Sequence, residues 1–230
     1  MRYIRKAGER GHANFGWLDS HHTFSFGRYY DPEHMGISVL RVINDDRVAP
    51  GRGFETHGHK DMEILSYVVS GKLAHKDSTG TSDVIPAGDI QRMTAGRGIL
   101  HSEFNGSDSE EVHFLQIWLL PAENGLKPGY EQKTVPQQGP LTMLVTPDGR
   151  EGTVKIHQDM SLSRLRLLAG ETFDVGTSKR LGYLHIVNGN VSIDGETFET
   201  GDGIGLYQDD ELVIRANKDT EALWFDLPQL

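Results

Sequence analysis

Tyr67-Val68-Val69-Ser70-Gly71-Lys72, followed by Pro86-Ala87-Gly88-Asp89, is echoed later in the chain by His185-Ile186-Val187-Asn188-Gly189-Asn190, followed by Glu199-Thr200-Gly201-Asp202. Each copy reads as a strand, a glycine turn, a second strand, then a tight turn into a third, with a shorter arm between the parts in the second copy. A duplicated unit of this kind predicts two β-barrels in tandem. Outward from the repeat, short apolar runs bounded by Gly, Pro, Asn and Asp recur along the chain, and helical periodicity is scarce. The clearest strands are 37–43, 64–69, 112–120, 141–145, 162–168, 184–187, 191–193, 211–214 and 222–225. Turn formers concentrate at Pro121, Gly125, Pro128-Gly129, Pro136, Gly139 and Pro140, which puts the boundary near residue 135. The expectation is therefore an all-β chain with an N-terminal unit of residues 1–135 and a C-terminal unit of 136–230, packed face to face.

With 230 residues the chain has room for two cores of moderate size. Its 33 acidic and 23 basic residues give a formal charge of −10, which disfavours non-specific binding to nucleic acid or to an anionic membrane surface. No run approaches the ~20 apolar residues of a membrane span. The opening Met1-Arg2-Tyr3-Ile4-Arg5-Lys6 lacks the apolar stretch of a signal peptide, and a cytoplasmic location is expected. The absence of cysteine excludes disulfides, thiolate ligands and a cysteine nucleophile, so any metal must sit on nitrogen and oxygen.

Such donors are present. His57 and His59 stand two apart, as do His101 and Glu103. Side chains two apart on a strand share a face, so each pair can close on one ion. Three imidazoles and a carboxylate suit a divalent transition metal with two positions open, a set matching Fe(II) but also open to zinc, nickel, copper or manganese. Glu63 is a rival carboxylate: were the strand from His57 to continue undistorted, Asp61 and Glu63 would share its inward parity. A bulge would instead turn Glu63 outward, leaving it at the surface or in support of the ligands, and Glu103 is favoured because it pairs with His101. His12, His21, His22, His34, His75, His113, His157 and His185 form no complete second set and are read as structural or surface residues.

Gly51-x5-His57-x-His59-x3-Glu63, closed by Gly71, resembles the first motif of the cupin superfamily, and Gly80-x5-Pro86-x-Gly88 resembles part of the second. Gln91 stands where the second motif usually has a histidine. Downstream, Thr94-Ala95-Gly96-Arg97-Gly98-Ile99-Leu100-His101-Ser102-Glu103 closely resembles the signature of the pirin family of bicupins. Asp31-Pro32, Met35-Gly36, Gln116-Ile117-Trp118 and Leu120-Pro121 add to the likeness, which is strong over about residues 10–135 and weak beyond. Gly58 departs from the proline that pirins often carry between the first two histidines; at that position it would loosen a turn without removing a ligand.

The resemblance implies tandem cupin barrels, the second degenerate and metal-free, with iron on His57, His59, His101 and Glu103. It also implies quercetin 2,3-dioxygenase activity, in which a flavonol or similar phenolic is opened by dioxygen with release of carbon monoxide, and Glu103 serves as ligand and base. Phe54, Met93, Phe104 and Phe114 are candidate pocket residues. The alternative within the family is a redox-sensitive regulator acting through a protein partner, with Arg97 relaying the state of the iron. A zinc-type Lewis acid serving an isomerase or lyase is a third reading, and two barrels in one chain make a monomer the expected state.

Overall fold

The computed structural model describes residues 2–229 and is all-β; two short 3₁₀ turns, Ala7–Glu9 and Arg150–Gly152, are the only helical pieces among the described residues. None of these helices is long and apolar enough to cross a membrane.

Each half of the chain pairs a seven-stranded sheet with a four-stranded one. In the first half the large sheet runs, in spatial order, Gly129–Thr134, Asp89–Thr94, Glu63–Ser70, Val112–Leu119, Leu40–Val48, Leu18–His22 and Gly11–Asn14. Its small sheet runs Gly53–His59, Ile99–Asn105, Lys72–Asp77 and Ser82–Pro86. The second half repeats the plan, its large sheet centred on Leu181–Asn188, Thr220–Leu227 and Ser161–Leu167. One element crosses over: Tyr3–Arg5 pairs antiparallel with Gly203–Leu206, so the start of the chain edges the second half's large sheet.

Alternation along the central strands explains the layering. On Val112–Leu119, Leu115, Ile117 and Leu119 face away from their own barrel and join Leu65 and Tyr67 in a core shared with Leu162, Tyr183, Leu223 and Phe225 of the other half. The intervening positions point into the barrels: Val112 and Phe114 in the first, Ala222 and Trp224 in the second. The two large sheets therefore pack face to face, as the repeat implied.

Two strand readings need correction. The expected run 37–43 is a tight turn followed by a longer strand, because Ile37 and Leu40 bond to each other and Ser38 adopts φ 54°; the strand is Leu40–Val48. Gly58 is no turn residue. It lies inside Gly53–His59, opposite Leu100, on an edge strand where proline is tolerated.

Candidate metal centre

The inner face of the first large sheet carries a polar row. Register places His22 beside Asn44, Asn44 beside Gln116, Gln116 beside Ser66, and Ser66 beside Gln91. A row of Ser20, Asp46, Phe114 and Val68 and then one of Val48 with Val112 follow on one side, and a row of Ile64 with Trp118 and Met93 closes the other. Facing it, the small sheet sets His57 against His101 and His101 against Asp77, then Phe54 against Glu103 and Glu103 against His75. A register shift between His101 and Glu103 brings Glu103 opposite Phe54. Gly53 makes that approach feasible, since a Cβ there would sit 2.3 Å from the Glu103 carbonyl oxygen.

His57, His59 and His101 converge, their ligating atoms all within 4.8 Å of one another and His57 Nε2 3.0 Å from His101 Nε2. Nitrogens bound at ~2.1 Å to one ion lie no more than about 4.2 Å apart, so small side-chain adjustments suffice to close this trio on a metal. Two further observations fit an ion here. His59 Nε2 is buried with no hydrogen-bond partner among the described residues. Burial, followed by the neighbouring His57, lowers the His59 pKa to about 4, and the same causes press His101 lower, which keeps both imidazoles neutral and able to ligate.

Glu103 is brought close, but into a different group: its carboxylate clusters within 4.8 Å of His101 and His75. Gln116 Nε2 donates to Glu103 Oε2 at 2.6 Å, and Ser66 Oγ lies 3.2 Å from Oε1. Burial raises its pKa to about 7 despite these bonds. His75, read from sequence as structural or surface, is fully enclosed here, and its Nε2 donates to Asp77 Oδ2 at 2.9 Å. A signal for it existed: His75-x-Asp77 repeats the two-residue spacing of the ligand pairs.

Glu63 lies elsewhere. Asp61, at φ 48°, turns the chain out of the small sheet, and Glu63 opens a strand of the large one with the parity of Leu65 and Tyr67. It is buried between the halves, where His157 N–H donates to its Oε2 at 3.1 Å. The surface position and the role beside the ligands are both overturned. Among the described residues, no group of three metal-ligating side chains falls in 136–230.

A cavity of about 730 Å³ opens on His57 and Glu103, within the usual range for small-molecule sites. Phe54 lines it, together with Phe26, Tyr29, Trp118, His22 and Asp46, which sequence reasoning did not place there. The other three expected pocket residues are absent from its wall: Met93 and Phe114 are core, and Phe104 faces the outer side of the small sheet. Arg97 is exposed, with no side-chain hydrogen bond among the described residues.

Asp46 is fully buried, and burial raises its pKa to about 7 against the hydrogen bond from Ser20. A carboxyl so raised is protonated in the folded chain and ionised in the unfolded one between pH ~4 and ~7, so its contribution to stability is lost as pH rises through that window. Asp46→Asn has no proton to lose. Its stability relative to wild type should climb by about 2–4 kcal/mol from pH 4 to pH 8, read by urea melts at both pH values, and a pH-independent difference would contradict a neutral buried acid.

Comparison with known proteins agrees with this architecture. Residues 3–119 match the family model described as Pirin, and residues 143–227 match that described as Quercetinase C-terminal cupin domain. Quercetin 2,3-dioxygenase of Escherichia coli (strain K12) is 50% identical over 230 residues, 99% of each chain. The crystal structure of bacterial pirin YhhW from Escherichia coli in complex with nickel(II) superposes with a TM-score of 0.95 at 50% identity, covering 100% of both chains. YhaK from the same organism superposes at 0.77 with 26% identity, covering 95% of this chain and 98% of its own. With these likenesses running the length of a molecule whose clustered imidazoles can hold a metal, the chain belongs to the pirin family.

Proposed function

We propose that this protein is a metal-dependent quercetin 2,3-dioxygenase that uses Fe(II) held by His57, His59, His101 and Glu103. The observation that carries the reading is the imidazole trio set beside a large, aromatic-lined cavity onto which His57 and Glu103 both open. Nickel, zinc, copper and manganese suit the same donors.

A bound divalent ion supplies a chelation point for the adjacent hydroxyl and carbonyl oxygens of a flavonol, together with access to dioxygen. The chain's own groups do the rest. Glu103, oriented by the Ser66 and Gln116 hydrogen bonds, accepts the proton of the chelating hydroxyl. Phe26 and Trp118, edge to face with ring centroids 5.3 Å apart, shield the ring from water. The polar row keeps Glu103 aimed from the opposite sheet, so its position survives loss of the substrate.

The metal-bearing unit in this reading is residues 1–135, with 136–230 as a metal-free partner; the extensive core between the halves supports a monomer, and the cysteine-free composition a cytoplasmic address. Protein loaded anaerobically with Fe(II) should consume quercetin and dioxygen and release carbon monoxide. Stoichiometric iron without turnover of quercetin or a related flavonol would overturn the assignment.

A further inference from the structure

The cavity carries a polar group that metal chemistry leaves unused. Asp46 points inward from Leu40–Val48, between Ser20 and Phe114 in register. It is 3% exposed, and Ser20, which donates to its Oδ1, is its only side-chain hydrogen-bond partner among the described residues. A carboxyl offers about four acceptor positions, and burying one with most of them idle is costly. The nearest polar groups of the cavity wall give no compensation, since Asn44 pairs with His22 and Gln116 with Ser66 and Glu103, while Leu18 and Phe54 complete the wall.

Its placement relative to the metal side is fixed by the sheet. Asp46 lies directly opposite Phe114 and so diagonal to Gln116, the residue that holds Glu103. Diagonal neighbours on one face are about 7–8 Å apart, comparable to the span of two fused six-membered rings. Asp46 and Glu103 line the same cavity, so a bicyclic ligand chelated beside Glu103 extends its far edge toward Asp46.

We propose that Asp46, aimed by Ser20, forms a subsite that binds a phenolic hydroxyl at the end of the substrate remote from the metal, and so selects polyhydroxylated flavonols. The inference rests on the dioxygenase reading for the orientation of the substrate. Asp46 can serve in either protonation state: as a neutral acid it donates to the phenol oxygen, and as a carboxylate it accepts the phenol O–H.

The test is equilibrium binding, followed by the absorbance shift of the flavonol on Ni(II)-loaded protein. The probes are quercetin and 3-hydroxyflavone, which share the chelating hydroxy-ketone and differ in their remote hydroxyls. Asp46→Leu should move the quercetin to 3-hydroxyflavone affinity ratio by about tenfold toward 3-hydroxyflavone, through weaker quercetin binding and with unchanged nickel per chain. Asp46→Asn, which still accepts from Ser20 and can bond a phenol, should keep most of the wild-type ratio. Equal weakening of both probes by Asp46→Leu, or an unmoved ratio, would overturn the subsite. Quercetin-selective binding that depends on Asp46 yet consumes no dioxygen with Fe(II) would support the subsite and overturn the dioxygenase reading, so the two fail separately.

Discussion

His101→Ala is expected to lose its metal on dialysis and to lose turnover with it, whereas Glu63→Gln keeps both. His101 is the hinge of the site: its ring centroid lies 4.5 Å from His57, 4.8 Å from His59 and 5.4 Å from His75, and it belongs to two of the three ligating groups among the described residues. The third, His12, Asp19 and His21 at the surface, is a set the sequence reading missed. Removing it leaves His57 and His59 on an edge strand, with Glu103 clustered on the strand beside them. The loss of affinity should exceed the roughly 10–100-fold that follows removal of a residue merely supporting a ligand. Glu63, by contrast, faces the second half and bonds to His157, so its amide should leave the metal count at one per chain. Elemental analysis of both variants after dialysis decides the matter: metal lost from Glu63→Gln and retained in His101→Ala would invert the assignment.

That contrast also shows what could be read from the sequence. The two pairs were legible as strand pairs because spacing by two is a strand's own period: His57 and His59 share one strand and His101 and Glu103 another, although Glu103 clusters with His75 and His101 and not with the trio. Glu63 was not legible, since one residue at positive φ, Asp61, ends a sheet and resets the parity of everything after it. The cavity wall was harder still. Phe26 and Tyr29 belong to an irregular segment whose path depends on tertiary contacts, such as the Arg5 hydrogen bonds to Thr23 O and Tyr29 Oη. Phe114 and Met93 have the composition of pocket residues, and only register reveals that they lie in the rows on either side of the polar one, packed against Val68 and Ile64.

Phe225→Ala should cost about 3–5 kcal/mol, because the ring is fully buried and its loss leaves a cavity that strands held on both sides cannot collapse. Phe225 pairs with Leu162 on one side and Tyr183 on the other, at the centre of the second large sheet, and its ring faces the core shared with Leu65, Tyr67 and Leu115. For a chain of 230 residues this corresponds to a fall in Tm of roughly 10 °C. The transition should remain single, and the metal-loaded first half should lose its ion at the same temperature as the second half loses its sheet. Two separated transitions, with the first half unaffected by the substitution, would show that the shared core does not couple the halves.

The pairing of Tyr3–Arg5 with Gly203–Leu206 has a consequence for the order in which the chain can fold during its synthesis. At 5–20 residues per second, the partner of Arg5 leaves the ribosome about 10–40 s after Arg5 itself. Through that interval the first half can close around its own ligands, while its leading segment waits without a sheet to join. The piece of the molecule that docks last is thus made long before the sheet it joins, and the edge it covers stays open until Gly203–Leu206 has been synthesised and paired.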